Sequence, residues 1–275
     1  MKRILITGAN SYIGTSFYDI MSDFKDEYII DTIDMIEDTW RNSDFSRYDC
    51  VFHVAGIAHI KETKKNSRLY YEVNRDLAIE TATKAKTEGV KQFIILSSMS
   101  VYGIETGFIT KNTVPCPSTN YGKSKLQADE TIFRLCDDNF QVVILRPPMV
   151  YGKGCKGNYI SLSKYAKKMP IFPSINNERS MIYIKNLVLF IKKVIDETNS
   201  GLYLPQNAEY INTSNMVNLI AKVHGKKLYL TKMFNPLIVI MHFNMIKKVF
   251  GTLVYEKVDI CDYVNLEDSI FLSEE

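Results

Sequence analysis

Tyr121-Gly122-Lys123-Ser124-Lys125 sets a phenol four residues ahead of an ammonium, downstream of the pair Ser97-Ser98. On a helix, positions i and i+4 share a face, so Tyr121 and Lys125 would stand side by side. A cation beside a phenol favours phenolate. This predicts a Tyr121 able to take or give a proton near neutral pH, with the Ser98 hydroxyl orienting the same substrate oxygen. A Tyr-x-x-x-Lys spacing recurs by chance, and its weight comes from what precedes it. Ile4-Leu5-Ile6-Thr7-Gly8-Ala9-Asn10-Ser11-Tyr12-Ile13-Gly14 reads as strand, Gly-rich turn and helix start. Such a turn lets backbone approach a pyrophosphate, and the helix N-terminus offers N–H groups and positive dipole. Asp34 follows Gly14 at the spacing of about 20 residues expected for an acid that holds an adenosine ribose diol. A carboxylate there repels a 2′-phosphate, which favours NAD over NADP; Asp31 is the rival for the role.

The elements that must position these groups follow from pattern. Short apolar strands are expected at Arg3 to Thr7, Tyr28 to Ile33, Asp49 to Ala55, Gln92 to Ser97 and Gln141 to Leu145. Between them lie helices at Ile13 to Ser22, Asn74 to Glu88 and Tyr121 to Cys136. This βα alternation predicts an α/β fold, a Rossmann-type doubly wound parallel sheet. The continuously apolar fourth strand should be covered on both faces. After Pro148 the pattern changes: Gly152, Gly154 and Gly157 mark an irregular loop, and helix is expected again at Tyr159 to Lys168 and Ile184 to Thr198. The domain reading is 1–148 for dinucleotide binding and 149–275 for a smaller C-terminal substrate-binding lobe, with 184–205 rejoining the first. The segment after Gly251 is acidic and carries no role readable from sequence.

Several motifs together resemble the extended short-chain dehydrogenase/reductases, and within them the nucleotide-sugar epimerase and dehydratase group. They are Thr7-Gly8-Ala9-Asn10-Ser11-Tyr12-Ile13-Gly14, His53-Val54-Ala55-Gly56, Ser98-Met99-Ser100-Val101-Tyr102-Gly103, the Tyr121–Lys125 run and Leu145-Arg146-Pro147-Pro148. The resemblance implies Tyr121 as catalytic acid/base, Lys125 as its pKa partner and a bond to the nicotinamide ribose, and Ser98 as the catalytic serine, with Ser97 and Ser100 close by. It implies a cofactor site at Gly8, Asn10, Ser11, Tyr12, Ile13, Gly14, Asp34, Ala55, Gly56, Asn74 and Pro148, besides Tyr121 and Lys125. For a substrate diphosphate it implies Arg179, a fork suited to phosphate, and Asn158. Tyr102 is expected to line the sugar pocket. Three positions depart from the pattern: Ser11 replaces a phosphate-loop glycine, and Ala58 and Met149 replace a Lys and an Asn of galactose epimerases.

A net charge of +3 gives no reason to expect nucleic acid. Five cysteines, an odd number without a Cys-x-x-Cys pair, argue against disulfides and zinc and fit a reducing cytosol; Cys155 is read as a spectator thiol. His53 and His59 lack carboxylates at ligand spacing, so no metal is expected. Pro236 to Met241, running on to Phe250, is too short and interrupted to span a bilayer. It is read as a helix packed on the body, with a membrane-surface contact as the second reading. The expected function is a cytoplasmic, homodimeric NAD-dependent 4-epimerase of a nucleoside-diphosphate sugar in surface-polysaccharide precursor synthesis. The alternative is an NAD(P)H-dependent reductase of a 4-keto-6-deoxy sugar. A non-catalytic dinucleotide sensor is disfavoured, because Ser98, Tyr121 and Lys125 are all kept.

Overall fold

The computed structural model describes residues 1–58, 60, 62–63, 65–233, 235 and 244–275. His59, Lys61, Lys64, His242 and the helix expected over Pro236 to Met241 lie outside the described residues.

Two compact units divide the chain. The first comprises Met1–Gly103, Val114–Pro147 and Leu187–Pro205. Its sheet is built from β1 (Lys2–Thr7), β2 (Tyr28–Ile33), β3 (Cys50–His53), β4 (Gln92–Leu96), β6 (Gln141–Leu145) and β10 (Gly201–Tyr203). All pair in parallel, in the order β10-β6-β4-β3-β1-β2. Parallel strands need crossovers, which here include α1 (Tyr12–Met21), α3 (Leu77–Thr87) and α4 (Asn120–Phe133). Alternate residues point to opposite faces, and both faces are covered. Leu5, Val51, Phe93, Ile95, Val142 and Ile144 pack with Ala78, Ala82 and Ala85 of α3 and Ala128 and Ile132 of α4. On the other side Phe52 meets Phe17 of α1, ring centroids 5.0 Å apart. A large apolar side chain buried this way contributes about 1.5–3 kcal/mol.

After β2 the chain crosses β1 to place β3 on its other side. The strand order therefore reverses between β1 and β3, and their carboxyl ends flank the crevice where open α/β sheets take ligands.

The helix expected from Asn74 begins earlier. A short α2 (Ser67–Tyr71) runs through a π-helical turn over Glu72–Asp76 into α3. The widened turn brings Asn74 to zero exposure, and turns of this kind recur at functional sites.

The second unit holds Ile104–Thr113, Pro148–Asn186 and Gln206–Glu275. Ile104–Thr113, expected within the first domain, falls here because β5 (Gly107–Ile109) pairs with β13 (Leu253–Tyr255). Three more two-stranded parallel ribbons are seen among its described residues. They are β7 (Met149–Tyr151) with β9 (Met181–Tyr183), β8 (Ile171–Pro173) with β12 (Tyr229–Thr231), and β11 (Gln206–Asn207) with β14 (Ile260–Cys261). Around them lie α5 (Asn158–Lys168), α7 (Thr213–Val223), α8 (Asn244–Phe250) and α9 (Leu266–Glu274). The helix α6 (Ile184–Glu197) gives Ile184–Asn186 to this unit and its remainder to the first. The acidic segment after Gly251 is structural: Tyr255 and Ile270 are fully buried. Glu274 accepts from Tyr159, Ser163 and Lys167 at 2.8–2.9 Å and sits 2.8 Å from His224 Nε2. Among the described residues, no helix is long and apolar enough to cross a membrane.

Candidate active site

The chemistry-bearing side chains of the first unit gather at the carboxyl ends of the strands. At the end of β1, Gly8 has φ +104°, and a Cβ there would lie 2.7 Å from the Ala55 backbone nitrogen. Only glycine fits that approach between the two strand ends. Ser11, in place of a glycine, is the N-cap of α1: its Oγ accepts from Gly14 N at 3.1 Å. A Cβ on Gly14 would strike that Oγ at 2.7 Å. The substitution thus keeps the turn and the helix N-terminus while narrowing the space above Gly14. Asn10 Nδ2 donates to Asp34 Oδ2 at 3.2 Å, tying the loop to the end of β2. Asp31 is committed elsewhere, accepting from Tyr48 at 2.8 Å beside Arg3 and Arg47. Asp34 is exposed beside the glycine loop.

A second cluster lies above β3 and β4. Asn74 clamps the strand-end loop, accepting from Ile57 N at 2.8 Å and donating to Ile57 O at 3.0 Å. A Cβ on Gly56 would meet Asn74 Oδ1 at 3.0 Å and Lys125 Nζ at 3.2 Å. Gly56, Asn74 and Lys125 therefore converge on one spot. Lys125 is 5% exposed and donates to Leu96 O at 2.8 Å.

Thr119 caps α4, its Oγ1 accepting from Gly122 N at 3.1 Å, which puts Tyr121 in the first turn. A Cβ on Gly122 would sit 2.6 Å from Ser100 O. This glycine lets the Tyr121 turn lie against the Ser98–Ser100 loop, a role that the motif spacing did not suggest. Ser98 caps its short 3-10 turn, accepting from Ser100 N at 3.1 Å, and its hydroxyl lowers the proton affinity of the Tyr121 phenol. Ser97 faces the other way, donating to Asp129 Oδ2 at 2.7 Å. The two serines that sequence left adjacent thus have different tasks.

The electrostatics differ from expectation. Burial pushes the half-buried Tyr121 phenol above its ordinary value, with Ser98 opposing and Asp129 and Tyr70 adding to the rise. Lys125 is not among the groups that shift it. The ammonium itself is lowered by burial to about 8 and held up by Asp129. Asp129, one further helical turn along α4, was not foreseen. Its spacing from Lys125 was a readable signal, since i+4 shares the Tyr121 and Lys125 face. Its carboxyl is 1% exposed and bonds Arg146 Nε at 3.0 Å. Burial raises it to about 6 against the pull of Arg146, Ser97 and Lys125. Its Oδ1 is buried without a hydrogen-bond partner among the described residues.

Tyr102, expected to line the sugar pocket, lies in the interior of the first unit. It is 1% exposed, accepts from Arg146 Nη1 at 3.2 Å and lies under that guanidinium. It supports the Asp129–Arg146 pair and presents no surface to a sugar. His53 is a packed residue: its Nδ1 lies 2.8 Å from Thr7 Oγ1, its ring stacks on Phe93, and burial lowers its pKa to about 3. No group of three or more metal-ligating side chains exists among the described residues. Cys155 is buried, with its thiol pushed up.

Pro148, Asn158 and Arg179 belong to the second unit. Asn158 is exposed at the start of α5, after Gly157 at φ +96°. Arg179 donates to Gly251 O at 2.8 Å, and burial lowers its pKa against the attraction of Glu105.

Residues 4–204 match the NAD dependent epimerase/dehydratase family. A UDP-glucose 4-epimerase of Vibrio cholerae is 31% identical over 80% of this chain and 75% of its own length. An N-acetyl-alpha-D-glucosaminyl-diphospho-ditrans,octacis-undecaprenol 4-epimerase of Escherichia coli O157:H7 is 27% identical over 80% and 71%. Among solved structures, UDP-glucuronic acid 4-epimerase from Bacillus cereus, in complex with NAD, superposes with a TM-score of 0.74. That match has 18% identity and covers 99% of this chain and 97% of the other. RMD from Pseudomonas aeruginosa, complexed with NADPH, gives 0.76 at 14% identity over 99% and 98%. The glycine loop, Asp34 and the Ser98, Tyr121 and Lys125 positions all fall inside the matched span, and the chain belongs to the NAD-dependent epimerase/dehydratase family.

Proposed function

We propose that the protein is a nucleoside-diphosphate-sugar 4-epimerase that keeps NAD bound through each turnover. The observation that carries this is the packing of the Tyr121 turn against the Ser98 loop beside Lys125, with Asp34 at the far end of the same strand-end row. The glycine approach at Gly8, the spot shared by Gly56, Asn74 and Lys125, and the exposed Asp34 fit the pyrophosphate, nicotinamide ribose and adenosine ribose of NAD. When bound, NAD would supply the hydride acceptor, and as NADH the hydride donor, for the sugar carbinol carbon. Lys125, an ammonium below about pH 8, supplies a positive donor to a ribose. Tyr121 rests as a phenol, ready to donate. To accept a proton from the C4 hydroxyl it relies on Ser98, the group that lowers its proton affinity. General acid–base work of this kind contributes about 10²–10⁴-fold, and correct placement of the reacting carbon supplies much of the rest. From the resemblance, Arg179 and Asn158 hold the diphosphate and Pro148 flanks the nicotinamide.

Two relatives, each matched over 80% of this chain, are 4-epimerases by name. The second acts on a sugar carried by a lipid diphosphate, which supports a place in surface-polysaccharide precursor synthesis. Five free cysteines accord with a cytoplasmic enzyme. The homodimer rests on the family resemblance.

The test is absorbance and mass analysis of nucleotide released by denaturing the purified protein. Stoichiometric NAD supports the epimerase. Empty protein that binds NADH or NADPH reversibly and reduces 4-keto sugars overturns it in favour of the reductase. Tyr121→Phe should abolish turnover and spare dinucleotide binding; full cellular function in that variant would point to a non-catalytic sensor.

A further inference from the structure

Charge is segregated within the second unit. No Asp or Glu occurs from Asn139 to Asn177 or from Tyr210 to Tyr255, while lysines recur through both stretches. The two strands of the β8–β12 ribbon lie one in each stretch. The parallel pairing of Ile171 with Tyr229 brings the carboxyl ends of α5 and α7 to one end of it. Lys226 Nζ donates to Lys167 O and joins the two approaches. Lys168, Lys222 and Lys227 are exposed there, and Lys232 is exposed past the far end of β12. Lys167 pairs with Glu274 at 2.8 Å. A lysine in a last helical turn ordinarily offsets the helix dipole. One per helix suffices for that, and this edge has several more.

One face of the ribbon is packed: Phe172 lies against Tyr165 and Phe250, centroids 5.1 and 5.7 Å apart. The other is apolar and exposed among the described residues. Ile171 and Tyr229 stand side by side on it, with Met169 two residues before Ile171. Tyr229 is 65% exposed, and Met233, in the turn just past β12, is 72% exposed. Apolar side chains near exposed lysines that make no ion pair among the described residues match a surface with anionic headgroups over hydrocarbon. Single-stranded nucleic acid calls instead for aromatic platforms that stack on bases, and Met169, Ile171 and Met233 cannot stack.

We propose that the exposed face of the β8–β12 ribbon docks on an anionic lipid surface, with the lysines contacting headgroups and Ile171, Tyr229 and Met233 entering the interface. The surface is independent of the proposed reaction and uses none of its residues.

Co-sedimentation of the full chain with vesicles tests it. Binding is expected to phosphatidylcholine vesicles containing phosphatidylglycerol, absent for phosphatidylcholine alone, and lost as salt rises. Lys168→Gln combined with Lys227→Gln should weaken binding about 25-fold, at about fivefold for each charge near the surface. Tyr229→Ser with Met233→Ser should weaken it too, with turnover and circular dichroism unchanged. Equal binding to neutral vesicles, or no loss in either double variant, overturns the proposal. So does a fall in mass by light scattering in the serine variant, which would make this face a contact between copies of the chain. Tighter binding to a short RNA than to vesicles, untouched by the serine variant, would also overturn it.

Discussion

Asp129→Asn keeps the shape of the side chain beneath Lys125 and removes its charge. In the fold, burial raises this carboxyl from 3.8 to about 6. The raised value is a net one, so the attraction of Arg146, Ser97 and Lys125 is already contained in it. A shift of about 2 units at ~1.4 kcal/mol each means that ionising Asp129 costs the fold about 3 kcal/mol. The folded chain holds this proton more tightly than the unfolded chain. The penalty is therefore absent below about pH 3.8, grows as pH rises, and is complete above about 6. Asparagine cannot ionise, and its amide oxygen still accepts from Arg146 Nε. The variant should match the parent in stability near pH 3.5 and exceed it by about 3 kcal/mol at pH 7, roughly 5–10 °C in Tm for a chain of this size. Thermal or urea unfolding between pH 3.5 and 8 measures this. A variant less stable than the parent at pH 7, by the about 3–5 kcal/mol typical of a stranded buried arginine, refutes the reasoning. Activity gives a second readout. Asp129 raises the proton affinities of both Tyr121 and Lys125, so both limbs of the kcat–pH profile should move to lower pH. Unmoved limbs would leave Asp129 a purely structural residue.

Turnover of the parent should fall as pH rises past about 8, where the Lys125 ammonium loses its proton; a kcat flat to pH 10 would contradict this. Gly103→Ala should cost about 2–5 kcal/mol by chemical denaturation, since Gly103 has φ +69° and a Cβ would lie 1.9 Å from Cys116 O. Asp34→Ala should weaken NAD by about tenfold, the loss of hydrogen bonds to a charged group, and leave NADP unaffected or tighter in a fluorescence titration.

The parallel sheet was legible because its strands are short, continuously apolar and separated by helices with one apolar side. Gln141–Leu145 was placed to the residue, and β1 to within one. The Gly8 loop, Asp34 and the Tyr121–Lys125 spacing could be read because each follows from local geometry. What escaped depends on partners far along the chain. Ile104–Thr113 leaves the first unit because Leu253–Tyr255 offers it a strand edge. Tyr102 turned out buried because Arg146, opposite it, is drawn to Asp129. The direction of the Tyr121 shift was misread because the spacing shows a nearby cation but neither the depth of burial nor the buried acid beneath. Ser97 and Ser98 separate only once strand β4 fixes which one points inward.

The parallel ribbons of the second unit also bear on how the chain is made. Gly107 pairs with Leu253, Ile171 with Tyr229 and Gln206 with Ile260. Such distant pairings impose a high contact order, and closing large loops before any contact rewards them slows folding. On the ribosome, the Ile104–Thr113 strip must wait, with Phe108 still unpaired, until Leu253–Tyr255 emerges. The first unit waits less, for Gly201–Tyr203 to pair beside β6. Assembly in that order would hand a formed dinucleotide fold to a second unit still searching for its strands, the stage at which a chaperone would find it.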